Sequence, residues 1–185
     1  MALLTNYLID ARMSRIAPHI RGDVLDLGCG RAEILDKYAT KLDNYCGVEY
    51  SEEAVQSLRK AHPEATFFAR NLDQDRLELG RQFDCILMVA LIEHLFNQKH
   101  VMDEVASVLK PGGTIVLTTP TPFGNDVVHR LGATVGLFAK AAVDDHIVIY
   151  NHHRLKLLAK EIGLKLTRYY TFQLGCNQFA TFTKV

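Results

Sequence analysis

A short apolar run, Val24-Leu25-Asp26-Leu27, leads directly into Gly28-Cys29-Gly30, and Glu49 stands 21 residues beyond Gly28. Glycines at such a bend let the backbone approach a ligand closely. In an open parallel sheet the bend lies at the carboxyl edge, near the switch point where ligands bind. Glu49 could accept hydrogen bonds from both hydroxyls of a ribose. These two features alone admit a dinucleotide as readily as another nucleoside. A G-x-G-x-x-G loop, however, needs a third glycine where this chain has Glu33, and a carboxylate at the start of a helix repels a pyrophosphate. Asp26 opposes a phosphate as well and favours a cation.

Two of the eight histidines, His94 and His146, fall on the side of the sheet expected to carry the ligand. The intrinsic pKa of histidine suits a general base near neutrality. His146, within Asp144-Asp145-His146-Ile147-Val148-Ile149-Tyr150, reads as a base or substrate ligand, or else as a loop histidine at a helix entry. His94 is a second candidate base, with anchoring of a helix start as its plainer role. Cys29 is expected to serve as backbone of the turn, not as a nucleophile. The four cysteines, at 29, 46, 85 and 176, form no C-x-x-C pair and no zinc-ligand rhythm. They read as free thiols in a reducing cytosol, so a cytoplasmic protein is expected.

Those side chains need a scaffold, and composition bounds it. At 185 residues, 48% hydrophobic and 23% charged, the chain is expected to form a single domain spanning 1–185 with a real core. Its 21 basic and 21 acidic residues give no net charge and no electrostatic footprint for a nucleic-acid partner. The first half is mildly acidic and the second mildly basic. The first ten residues lack a basic leader and a small-residue cleavage site, so no secretory signal is expected. The longest unbroken apolar run, Cys85 to Ile92, is far short of the roughly 20 residues that span a bilayer.

Short β-prone runs at 24–27, 44–48, 66–69, 83–89 and 114–118 alternate with helix-period segments. Ser51 is a fitting N-cap for one helix, with Glu52 and Glu53 in its first turn. Another carries Val101, Val105, Val108 and Leu109 on one face and stops before a turn expected at Pro111-Gly112-Gly113. Runs that are nearly continuously apolar suit strands buried on both faces. The expected fold is α/β and doubly wound: a mostly parallel, seven-stranded sheet with helices on both faces, closed by an antiparallel C-terminal hairpin from 165–171 and 175–184. The amphipathic N-terminus, 1–20, with Tyr7, Leu8, Met13 and Ile16, is expected to form a cap helix. The long stretch 120–145 is expected to be a lid or acceptor-pocket insertion.

The ordered set Val-Leu-Asp-Leu-Gly-Cys-Gly at 24–30, Gly-Val-Glu-Tyr-Ser at 47–51, Asn71-Leu72-Asp73, Phe83-Asp84-Cys85-Ile86, Ile92-Glu93-His94-Leu95 and Leu109-Lys110-Pro111-Gly112-Gly113 resembles the class I S-adenosylmethionine-dependent methyltransferases. Within them it is most similar to the small-molecule type that includes the ubiquinone-biosynthesis O-methyltransferases. The resemblance covers nearly the whole chain. It implies that the backbone of Gly28, Cys29 and Gly30 holds the methionine part of the cofactor, with Asp26 facing its ammonium directly or through water. It implies further that Glu49 takes the ribose hydroxyls, Tyr50 lies against the adenine, and Asn71 and Leu72 meet the adenine edge. Val89 would pack near the methionine chain, and Arg12 would match an N-terminal arginine near the cofactor.

Two departures matter. Ala32 stands where a third glycine is common, and being small it should leave the turn intact. Ubiquinone-type relatives can carry Glu-x-x-Glu-His and hold a metal with it; here Ala90 replaces the first Glu, leaving Glu93 and His94. Two adjacent ligands make a poor metal site, so no metal is expected. The implied activity is methyl transfer to an oxygen or nitrogen of a small-molecule acceptor. The alternatives are a noncatalytic S-adenosylmethionine-binding regulatory module and an NAD-dependent oxidoreductase, which shares the sheet and the acid at position 49.

Overall fold

The computed structural model describes residues 2–126 and 146–184, with side chains described from Tyr7 onward. In chain order the elements are α1 (Ala2–Ile16), β1 (Gly22–Leu27), α2 (Glu33–Tyr38), β2 (Leu42–Glu49), α3 (Glu52–Ala61), β3 (Thr66–Ala69), β4 (Phe83–Val89), α4 (Gln98–Ser107), β5 (Leu109–Pro120), α5 (His152–Glu161), β6 (Lys165–Phe172) and β7 (Asn177–Thr183). Single 3-10 turns follow α2 (Ala39–Lys41) and β4 (Ile92–His94).

The seven strands form one sheet in the order β3-β2-β1-β4-β5-β7-β6. β1 to β5 run parallel, and β7 pairs antiparallel with both β5 and β6. Strand order therefore reverses between β1 and β4, which puts the crevice at their carboxyl ends, after Leu27 and after Val89. Alternate residues supply opposite faces. Leu25, Leu27, Ile86 and Met88 pack with α4 and α5, while Val24, Cys85 and Leu87 pack with α1, α2 and α3. Burial on both sides explains the unbroken apolar runs.

The N-cap expected at Ser51 forms, its hydroxyl accepting from the Ala54 N–H at 3.2 Å. Pro111-Gly112-Gly113 differs from expectation: these residues are the irregular start of β5, not a separate turn. Gly112 supplies the required φ of +73°, and the stretch is held by hydrogen bonds from the Gly112 N–H to Lys184 O and from the Lys184 N–H to Gly113 O. The last strand begins at Asn177, because Gln173, Leu174 and Gly175 all adopt positive φ in the hairpin turn. In α1, Met13 and Ile16 are buried as expected, but Tyr7 is 63% exposed. Most of the expected lid, 127–145, lies outside the described residues; 122–126 is helical.

Candidate active site at the carboxyl edge

The turn after β1 is tied to β2. Both the Gly28 and Cys29 N–H groups donate to the Val48 carbonyl, at 2.8 and 3.1 Å. The Gly30 N–H donates to Glu49 Oε2 at 3.0 Å, and Glu49 Oε1 accepts from the Tyr50 N–H at 2.7 Å. These bonds fix the Glu49 carboxylate at the rim of the sheet, and they occupy N–H groups that the resemblance assigns to the cofactor. What Gly28 contributes is close approach. Its φ is +66°, and a Cβ there would lie 3.1 Å from Leu91 Cδ1. Ala32 keeps the turn as expected, adopting the left-handed conformation (φ 58°, ψ 35°) in which a glycine would be unstrained.

Glu49, Tyr50, Asn71, Leu72 and Gly28 line one cleft of about 140 Å³, joined by Val48, Arg70, Asp73, Leu91 and Leu95. Five residues expected from sequence thus converge. The Tyr50 ring is 73% exposed at the mouth. Asn71 Oδ1 accepts from the Asp73 N–H at 3.1 Å, and Asp73 Oδ1 in turn accepts from the Asn97 N–H at 2.7 Å, so the 71–73 turn is anchored to the start of α4. Ligand pockets commonly reach about 300 Å³ or more, so this cleft would seat the nucleoside half of a ligand, with the rest passing Gly28. A larger crevice of about 340 Å³ between α1 and α2 is lined by Ile9, Asp10, Glu33, Asp36 and Lys37, none of which belongs to the carboxyl-edge set.

Asp26, Cys29, Gly30, Val89 and Arg12 do not line the cleft. Asp26 is buried beneath the turn, where Tyr45 Oη donates to Oδ2 at 2.7 Å. Burial pushes its carboxyl up to about 7, against the lowering effect of the Tyr45 hydroxyl and with a further push from Glu49. Cys29 is buried, and burial first, then the nearby Asp26 and Glu49 charges, raise its thiol. Such surroundings disfavour the thiolate form. Val89 ends β4 and packs against the cluster containing Cys29 and Leu87.

Arg12 reaches across the edge from α1, its Nη2 donating to Asn177 Oδ1 at 3.4 Å. Burial lowers its pKa, while Glu93 acts in the opposite sense. Glu93 is 1% exposed, and burial raises its carboxyl against the influence of Thr119, His94 and Arg12. Among the described residues, the buried atoms Arg12 Nε, Glu93 Oε2 and Thr119 Oγ1 have no hydrogen-bond partner. His94 and His146, the two histidines singled out from sequence, come together with ring centroids 5.1 Å apart. His146 Nδ1 lies 3.0 Å from Asn125 Oδ1.

A family model described as a methyltransferase domain matches residues 4–169. The chain belongs to this methyltransferase family. A probable S-adenosylmethionine-dependent methyltransferase of Mycolicibacterium smegmatis is 32% identical over 107 residues, covering 57% of this chain and 41% of the relative. The ubiquinone biosynthesis O-methyltransferase of Erwinia tasmaniensis is 25% identical over 116 residues, covering 58% and 48%. The methyltransferase domain thus spans under half the length of these curated relatives. In fold it is similar to magnesium protoporphyrin IX methyltransferase from Synechocystis PCC 6803, solved with bound SAH. The TM-score is 0.69 at 17% identity, over 97% of this chain and 83% of that one. Family membership decides against the dinucleotide reading.

Sequence reasoning missed Leu91 and Leu95 as walls of the domain's cleft and Arg70 at its rim. The signal for the two leucines was present: they flank Glu93-His94 at the end of β4, where the strand order reverses. Nothing in the sequence pointed to Tyr45 as the partner of Asp26, since a tyrosine in an apolar strand reads as core. Among the described residues, no helix is long and apolar enough to cross a membrane.

Proposed function

We propose that this chain transfers the methyl group of S-adenosylmethionine to an oxygen or nitrogen of a small-molecule acceptor. The observation that carries the reading is the convergence of Glu49, Tyr50, Asn71 and Leu72 on one cleft whose far wall, Leu91, leads straight into Glu93 and His94. In this assignment Glu49 accepts the ribose hydroxyls, exchanging its bonds to the Gly30 and Tyr50 N–H groups in part for the ligand, and Tyr50 covers the adenine. Asn71 and Leu72 meet the adenine edge. The methionine moiety passes Gly28 and Gly30 toward Val89, with Asp26 and Arg12 as the charges for its ammonium and carboxylate. Cys29 contributes backbone only.

The acceptor heteroatom attacks the methyl carbon along the axis of the carbon–sulfur bond. The electron pair of that bond returns to sulfur, leaving a neutral thioether, and the acceptor gives up its proton. A sulfonium is already a good electrophile, so alignment and exclusion of water are what the protein must supply. His94 and His146 stand on the side where that proton leaves. The 1–20 segment and 120–145 serve in this reading as covers of the edge, and the free thiols suit a cytoplasmic setting. No nucleic-acid partner is proposed, because the net charge is zero.

The test is transfer of labelled methyl from S-adenosylmethionine into pools of phenols, sugars and amines, run beside a calorimetric titration with S-adenosylhomocysteine. Turnover with at least one acceptor class supports the proposal. Cofactor binding without turnover across all pools would identify a noncatalytic binding module instead.

A further inference from the structure

Asp26 is buried, and among the described residues no cation acts on its carboxyl to offset that burial. Its register partners are Gly47 on β2 and Leu87 on β4, neither of which can pair with a carboxylate. The residue that reaches it is Tyr45, two positions before Gly47 and so on the same face of β2, about 6.6 Å further down the strand. Gly47 puts no side chain between them, and the Tyr45 hydroxyl comes to 2.7 Å from Asp26 Oδ2. The tyrosine is itself buried, and its ring leans on Phe67 with centroids 5.8 Å apart.

The other titratable neighbours oppose the charged carboxylate or stay neutral. Glu49, at the end of β2, pushes the Asp26 pKa up, as burial does more strongly. The thiols of Cys29 in the turn and Cys85 on β4 are raised by burial and stay uncharged near neutrality. From α1, α2 and α3 the same face of the sheet receives apolar side chains such as Met13, Ile34 and Val55. Among the described residues Tyr45 is thus the group that favours the carboxylate. Burial, then the Asp26 charge, keeps its own hydroxyl protonated and donating. With the Asp26 pKa at about 7, these opposing effects decide whether the carboxyl is charged at neutral pH.

We propose that Tyr45 is a positioning residue for cofactor binding: its hydroxyl orients Asp26 and holds it as the carboxylate that faces the ammonium of the methionine moiety, so that binding is linked to release of a proton from Asp26. The inference rests on the methyl-transfer reading and adds a residue that acts on the cofactor only through Asp26. A protonated Asp26 offers the ammonium no charge. Affinity therefore falls as pH drops below the Asp26 pKa, by up to about tenfold per unit. Removing a hydrogen bond to the charged form raises that pKa and moves the fall to higher pH.

The experiment is calorimetric titration of the full chain with S-adenosylhomocysteine, which keeps the ammonium, from about pH 5.5 to about pH 8.5 in buffers of differing ionisation enthalpy. Wild-type affinity should rise with pH and level off above about pH 7, with a proton released on binding below that point. Tyr45→Phe keeps the ring and its packing. It should move the levelling-off upward by about one pH unit, weakening binding roughly fivefold at pH 7 and less than about twofold at pH 8.5. Asp26→Asn should bind more weakly and lose the pH step, and in that background Tyr45→Phe should change affinity by less than about twofold. An unchanged pH profile in Tyr45→Phe, a step that survives in Asp26→Asn, or no proton released by the wild type would overturn the proposal while S-adenosylhomocysteine still binds. Absence of binding by the wild type at every pH would overturn the cofactor reading, and this inference with it.

Discussion

The carbonyl of Glu93 and the N–H of Ile147 meet at 2.8 Å, and this bond sets the end of β4 against the entry to α5. It fixes His146 beside His94 on the acceptor side of the proposed site. Ile147→Pro deletes the donor and restricts the backbone of the preceding residue. We expect turnover to fall by about 10²-fold or more, the usual scale for losing a positioned acid or base, with S-adenosylhomocysteine affinity held within about twofold. Ile147→Val, which retains the N–H, should behave as wild type. Steady-state kinetics and calorimetry on the three proteins check this.

Glu49 bridges the Gly30 and Tyr50 N–H groups at the cleft rim. Removing its carboxylate takes away the ribose acceptor and loosens the turn together. Glu49→Ala should weaken S-adenosylhomocysteine by about tenfold, since a hydrogen bond to a charged group is worth about 1.5–3 kcal/mol and solvent at the rim screens part of it. Glu49→Gln keeps one accepting oxygen and should lose less. Calorimetry gives both values.

Asp26 is an acid whose folded-state pKa, about 7, stands above its ordinary 3.8, chiefly through burial. Its protonated form is therefore favoured by folding. The associated stability is complete below about pH 4 and is lost as pH rises through about 7. Asp26→Asn, still able to accept from Tyr45, escapes that loss. Its Tm relative to wild type should rise between pH 5 and pH 8, by about 2–4 °C for each kcal/mol recovered. A difference in Tm that stays constant over that range would contradict the buried-acid account. The same variant should bind S-adenosylmethionine more weakly if Asp26 serves the ammonium.

Gly47 leaves no room for a side chain: an added Cβ would lie 2.7 Å from Phe67 Cδ1 and 2.8 Å from Cys29 Sγ. Gly47→Ala should destabilise by roughly 1–3 kcal/mol through overpacking, seen as a Tm lowered by several degrees. Trimming the neighbour in Gly47→Ala/Phe67→Leu should recover part of the loss, the non-additivity expected for residues in contact.

Local chemistry made much of the fold legible. Doubly buried strands announce themselves as apolar runs, Ser51 as a cap, and Asp26 to Gly30 as a strand running into a bend. Glu49 could be placed because a register of parallel strands carries the end of β2 beside the end of β1, with Leu27 opposite Val48. His94 and His146 could be assigned to the same side of the sheet, but their meeting was not legible, because it depends on the long-range backbone bond from the Ile147 N–H to the Glu93 carbonyl, which no local pattern announces. The start of β5 was misread for a related reason. Pro111-Gly112-Gly113 carries turn residues, but the pairing of Gly112 and Gly113 with Lys184 draws it into the sheet.

In the proposed function the carboxyl-edge cleft holds a cationic nucleoside and not a diphosphate. The most direct measurement is parallel calorimetric titration of the protein with S-adenosylmethionine, S-adenosylhomocysteine and NADH. Saturable one-to-one binding of the first two, sharply weakened by Glu49→Ala, and no saturation with NADH is the predicted result. Saturable NADH binding with no response to either sulfur nucleoside would contradict it.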